Sequence, residues 1–255
     1  MKIWLNGRLI DESEAWISPT DRGFLLGDGL FETMAAVGGK VAALARHYAR
    51  LQTGAALLRL PVRFSLDELS LSVSTLLSAN GFSEAALRLT LTRGGGPRGV
   101  LPGDIVSPTI LLTTSPMPFI TGPARLITAS LRRDETSPLS QVKSLNYLPN
   151  IIARLEAAEK GADEALLLNH AGRVAETSAS SLFVRLQGRW LTPPVAEGAL
   201  PGIRRAILLE AKRVQEAPLT LSDMQNAEAI CLGNALSMRS VVALDAWSYQ
   251  QSDMP

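Results

Sequence analysis

One cysteine, two histidines and five lysines are all that this 255-residue chain holds of those types, and each shortage removes a class of chemistry. Cys231 alone leaves no intrachain disulfide and no cysteine-built metal site. His47 and His170 are too few for a histidine-based metal centre and argue against a Ser-His-Asp triad. No metal is expected. A formal charge of +1 gives no electrostatic footprint for nucleic acid or an anionic membrane. No apolar run approaches the ~20 residues that span a bilayer. The opening Met1-Lys2-Ile3-Trp4-Leu5-Asn6-Gly7 is interrupted too soon for a signal peptide. The expected location is therefore the cytoplasm, and the expected partner a small molecule.

What is present reads as two domains, the first an α+β layer with antiparallel strands. Residues 3–10 form a hairpin about Asn6-Gly7. A strand pair, Phe31–Val37 and Val41–Leu44, flanks Gly38-Gly39. Helical spacing covers Arg46–Leu58 and, after Ser65 as N-cap, Leu66–Ala79. Strands Ala86–Thr92 and Thr109–Thr114 follow, so the first domain is expected over residues 1–115. Proline-rich residues 116–123 suit a linker, leaving 124–255 as the larger domain. There we expect a strand at Ala124–Leu131 and a helix at Tyr147–Lys160. Hairpins about Asn169–Gly172 and Gln187-Gly188, a helix at Ile203–Val214 and a strand at Ala229–Gly233 complete it.

Four of the five lysines sit at a terminus, a turn, a helix end or a polar helix face. Lys143 differs, falling between a strand and an apolar helix beside Ser144-Leu145-Asn146. It is either a solvated loop lysine or a desolvated amine able to attack a carbonyl. Glu176 ends a strand before Thr177-Ser178-Ala179-Ser180-Ser181, where a carboxylate holds a buried ring proton or the hydroxyls merely close a turn. Gly202 opens a helix with free N–H groups, an anion site in principle. The loop Arg93-Gly94-Gly95-Gly96-Pro97-Arg98-Gly99 lacks the Gly-Lys-Ser/Thr ending of a phosphate loop. Its arginines suit carboxylate capture instead. His47 and Arg50 share one helical face.

Together these segments resemble the class IV aminotransferase family, pyridoxal-phosphate enzymes of fold type IV. Asp21-Arg22-Gly23-Phe24-Leu25-Leu26-Gly27-Asp28-Gly29-Leu30-Phe31-Glu32-Thr33 is similar to the family's first signature. His47-Tyr48-Ala49-Arg50-Leu51 resembles its His-x-x-Arg-Leu helix, and Lys143-Ser144-Leu145-Asn146-Tyr147-Leu148 its Schiff-base segment. Glu176 to Phe183 and Gly202-Ile203-Arg204-Arg205 are similar to the pyridine-nitrogen and phosphate segments. The resemblance implies a two-domain α+β fold like that of D-amino acid aminotransferase, a pyridoxal 5′-phosphate cofactor and a homodimer. It implies Lys143 as the catalytic lysine and Glu176 on the ring nitrogen. Arg50, the amides of Ile203 and Arg204, and the turn at Asn234-Ala235 are implied on the phosphate.

Two reactions divide the family's short members: transamination of D-amino acids or other small amines, and release of pyruvate and 4-aminobenzoate from aminodeoxychorismate for folate synthesis. The D-amino acid pattern has a tyrosine at Phe31 and Arg-x-His where this chain has Arg98-Gly99-Val100. Thr33 and Asn234-Ala235-Leu236 are similar to the lyase group's versions, with Thr33 implied as a catalytic hydroxyl. Phe31, Arg98 and Val100 are the expected substrate contacts. The lyase is the expectation, with the transaminase as alternative.

Overall fold

The computed structural model describes residues 1–104, 106–119, 122–251 and 253–255. Ile120 and Thr121, within the expected linker, lie outside the described residues. The chain divides into two compact units. One comprises Met1–Pro118 together with Lys143–Asn146; the other comprises Phe119–Val142 and Tyr147–Pro255.

In the first unit the strands are β1 (Lys2–Leu5), β2 (Arg8–Asp11), β3 (Gly29–Val37), β4 (Lys40–Val41), β5 (Ala85–Thr92) and β6 (Thr109–Ser115). They pair antiparallel in the order β2-β1-β6-β5-β3-β4. The helices are α1 (Arg22–Leu26), α2 (Leu44–Leu57) and α3 (Leu66–Ala79). Alternation along β3 and β5 puts Leu30, Met34, Leu87, Leu89 and Leu91 in the core with Leu51, Val73, Leu76 and Leu77 of the helices. Asn6 at φ 50° and Gly7 at φ 85° make the tight β1–β2 turn. The strand expected over Val41–Leu44 stops at Val41. Ala43 adopts φ 54° and Leu44 already begins α2.

The second unit contains β7 (Ala124–Arg133), α4 (Leu148–Glu159), β8 (Glu164–Asn169), β9 (Val174–Thr177), β10 (Ser181–Leu186) and β11 (Arg189–Thr192). It continues with α5 (Ile203–Glu210), β12 (Gln215–Glu216), α6 (Leu221–Gln225), β13 (Ala229–Gly233), β14 (Met238–Leu244) and β15 (Trp247–Ser248). The sheet order is β12-β11-β10-β13-β14-β7-β8-β9, with β15 on β14. β8 lies parallel to β7, which requires a crossover, and α4 supplies it. Ala153 and Ala157 of α4 pack on Ile127, Ala129, Ala165 and Leu167. The helix expected over Ile203–Val214 ends at Glu210. Lys212 turns left-handed at φ 55°, and Val214 buries beside Phe183, Leu208 and Cys231.

Candidate active site

The residues of β3 divide between two faces. Glu32 points to the helices, while Phe31 and Thr33 share the opposite face with their partners Thr90 and Arg88 on β5. Lys143 reaches this face because its segment pairs with the start of β3. The Phe31 N–H donates to the Lys143 carbonyl at 2.9 Å, the Leu145 N–H donates to Gly29 O at 2.9 Å, and Leu30 bridges Ser144. The Lys143 Nζ lies 4.1 Å from the Phe31 ring centroid, and the Arg88 Cζ lies 4.0 Å from it. One buried ring therefore carries two cation–π contacts. Thr33 is half-buried beside it. Arg88 escaped the sequence reading. Its outward place between Leu87 and Leu89 is legible as alternation, but its register against Phe31 is not.

On the helix side, Glu32 receives Arg50 Nε at 2.8 Å and Nη2 at 2.6 Å, and His47 Nδ1 lies 2.7 Å from its Oε2. Burial alone would push the Glu32 carboxyl up. Hydrogen bonds with His47 and Arg50 and the Arg50 charge outweigh this, holding it below its ordinary value. The guanidinium expected on a phosphate thus has two of its nitrogens oriented by a buried carboxylate.

The first signature also builds a loop anchor. Asp21 caps α1 by accepting from the Gly23 amide at 2.8 Å and takes hydroxyl bonds from Thr92 and Thr109. Asp28 pairs with Arg22 at 2.9 Å and with Arg93 at 2.8 Å. Burial would raise the Asp28 carboxyl, but bonds and charge from Arg93 and Arg22 keep it below its ordinary value. Arg22 in turn donates to the carbonyls of Gly99 at 2.9 Å and Val100 at 2.6 Å. The backbone between Arg98 and Leu101 is therefore pinned, while the Arg98 and Val100 side chains stay exposed, Val100 at 87%.

In the second unit Glu176 is buried at the end of β9. Its Oε2 accepts the Leu200 N–H at 3.0 Å, and its Oε1 lies 3.1 Å from Arg133 Nη2. Three further segments converge. Asn234 Nδ2 donates to Ala179 O at 3.3 Å and to Ser180 Oγ at 3.2 Å, while Arg204 Nε donates to Asn234 O at 3.4 Å. Gly202 is the N-cap of α5 with no side-chain cap, and a Cβ there would lie 2.5 Å from Ser181 Oγ. The Asn234 Oδ1 accepts the amides of Leu236 and Ser237, closing the turn that carries Ala235.

A profile of amino-transferase class IV matches residues 29–244. The chain belongs to the class IV aminotransferase family. A Methanocaldococcus jannaschii protein named as a branched-chain-amino-acid aminotransferase is 37% identical over 254 residues, covering 96% of this chain and 88% of that one. The 4-amino-4-deoxychorismate lyase of Pseudomonas aeruginosa is 30% identical with a TM-score of 0.87, covering 98% of this chain and 94% of that one. The T.th. branched-chain amino acid aminotransferase, solved with pyridoxamine 5′-phosphate, is 26% identical with a TM-score of 0.90, covering 97% and 87%.

This class IV aminotransferase is a pyridoxal-phosphate enzyme of α+β fold. Its residues suit the cofactor. The α5 start has no side-chain cap on its Ile203 and Arg204 amides, and a Cβ at position 202 would crowd the Ser181 hydroxyl. Glu176 offers a buried anionic acceptor of the kind a protonated ring nitrogen requires. No helix among the described residues is long and apolar enough to cross a membrane.

Proposed function

We propose that this enzyme is a 4-amino-4-deoxychorismate lyase, forming pyruvate and 4-aminobenzoate. The polar character of the Phe31 face supports this reading above the alternatives. Arg88, Thr33 and Thr90 line it beside the Lys143 amine. A branched aliphatic side chain gains nothing from a guanidinium and two hydroxyls, and covering them costs their hydration. Aminodeoxychorismate carries two carboxylates and an ether oxygen, and it uses them. Arg88 and Arg98 suit the carboxylates, Phe31 and Val100 form apolar walls for the carbocycle, and Thr33 is the donor for the departing oxygen.

When bound, the cofactor supplies an aldehyde for the substrate amine and a conjugated ring that accepts an electron pair. Arg50, the amides of Ile203 and Arg204 and the Asn234-Ala235 turn hold its phosphate, and Glu176 holds a proton at the ring nitrogen. Lys143 takes the proton from the carbon that bears the substrate nitrogen. The adjacent C–O bond breaks with its electron pair, the carbocycle becomes aromatic, and the enol leaves to take up a proton as pyruvate.

Exposed apolar side chains on each unit support a homodimer. Phe24, Leu25, Leu26, Val100 and Leu101 are exposed around the Arg22 anchor, and Leu148, Ile151, Ile152 and Leu155 form a stripe along α4. The deciding experiment offers the purified holoenzyme aminodeoxychorismate and, separately, D-alanine or L-leucine with 2-oxoglutarate. Stoichiometric 4-aminobenzoate and pyruvate are expected. Rapid transamination without 4-aminobenzoate would make the protein an aminotransferase instead.

A further inference from the structure

Arg133 is the last residue of β7. Its side chain is only 16% exposed. Its Nε donates to Gly198 O at 3.0 Å, and its Nη2 donates to Ser140 O at 3.0 Å while lying 3.1 Å from Glu176 Oε1. Ser140 sits in the turn that precedes Lys143, Gly198 closes the turn that runs into Leu200 and Gly202, and Glu176 faces the ring nitrogen in the reading above. The stem is built in as well. Gly198 has φ 94°, and a Cβ there would come within 2.9 Å of Arg133 Cγ. Behind it, Asn169 Nδ2 at 2.7 Å and Arg173 Nε at 2.6 Å hold Glu197, which fixes the turn presenting Gly198 O.

We infer that Arg133 is the positioning residue for the ring-nitrogen contact. Its planar fork spans three acceptors in a fixed geometry, which a flexible ammonium does not reproduce. One Glu176 oxygen rests on Arg133 and the other on the Leu200 amide, so the carboxylate has one orientation and a permanent counter-charge. Arg133 touches neither substrate nor reacting atoms in this role, so it acts entirely through Glu176.

The inference rests on Glu176 as the ring-nitrogen partner, and the test separates the two. Equilibrium dialysis of the apoenzyme would compare pyridoxal 5′-phosphate with its 1-deaza analogue, which carries carbon in place of the ring nitrogen. The wild type should prefer the natural ring. In Arg133→Met that preference should fall about tenfold, the worth of one charge-assisted hydrogen bond, with affinity for the 1-deaza ring unchanged. A preference equal to or above wild type, or an equal loss for both rings, overturns the inference while leaving Glu176 its role. A wild type indifferent to the ring nitrogen removes both. If Arg133→Met fails to fold, Arg133→Lys serves in its place, and an undiminished preference there is equally fatal.

Discussion

At Glu32 two opposing effects meet, and their balance sets a pH dependence. Its carboxyl is depressed below 4.5 in the folded state, so its ion pair contributes fully above that pH and is lost as pH falls toward the folded value. The urea midpoint should therefore hold from pH 7 to about 5 and decline below, with a shallower decline in Glu32→Gln. Removing the carboxylate takes from Arg50 and the buried His47 the partner they share, and Glu32→Ala should cost about 3–5 kcal/mol in urea unfolding. Glu176→Gln is the catalytic counterpart. The phosphate contacts should keep the cofactor bound, at an affinity about tenfold lower for the lost ring-nitrogen contact, while single-turnover proton abstraction slows by about 100-fold or more. On the proposed lyase function, Arg88→Ala should raise KM for aminodeoxychorismate, with the cofactor spectrum unchanged. Lys143 and Glu176 stood out from the sequence through scarcity and context. Arg88, Arg133 and the Glu32 acceptor for Arg50 did not, because each depends on a partner brought close by register or by a turn dozens of residues away.

Among the elements, α3 was legible to the residue, since Ser65 and Glu68 form both halves of a capping box around an apolar period. The five-residue α1 was not. Its start depends on Asp21, and Gly23 is required because a Cβ would lie 2.2 Å from Thr92 Cγ2. Gly23→Ala should push α1 off β5 at a cost of about 1–3 kcal/mol. Because α1 carries Arg22, the loop at Gly99 and Val100 should loosen too, which limited proteolysis within residues 95–104 would register. The end of α5 was misjudged for a related reason. Helical propensity continues past Glu210, but burying Val214 outweighs it and turns the chain at Lys212.

At the scale of the whole molecule, alternation and turn residues made the antiparallel α+β layer of the first half legible, while the class of the whole chain came with the family resemblance. The long β14 went unread, because its apolar run follows directly on the turn at Asn234. The apolar stripe on α4 is the face offered to the proposed dimer, and on that proposal Ile152→Asp should convert a dimer to a monomer in light-scattering chromatography. A different consequence follows from the passage of Lys143–Asn146 into the first unit. Leu30 waits for Ser144, a contact that closes a loop of more than a hundred residues. During synthesis the amino-terminal sheet is made long before the four residues that complete its edge, so a chain released after residue 118 would hold a sheet with the start of β3 unpaired on that side. Dissecting the gene at the proline-rich stretch should therefore yield an amino-terminal fragment that recruits chaperones and aggregates. A fragment carrying residues 143–146 on a short glycine-serine tether should remain monodisperse.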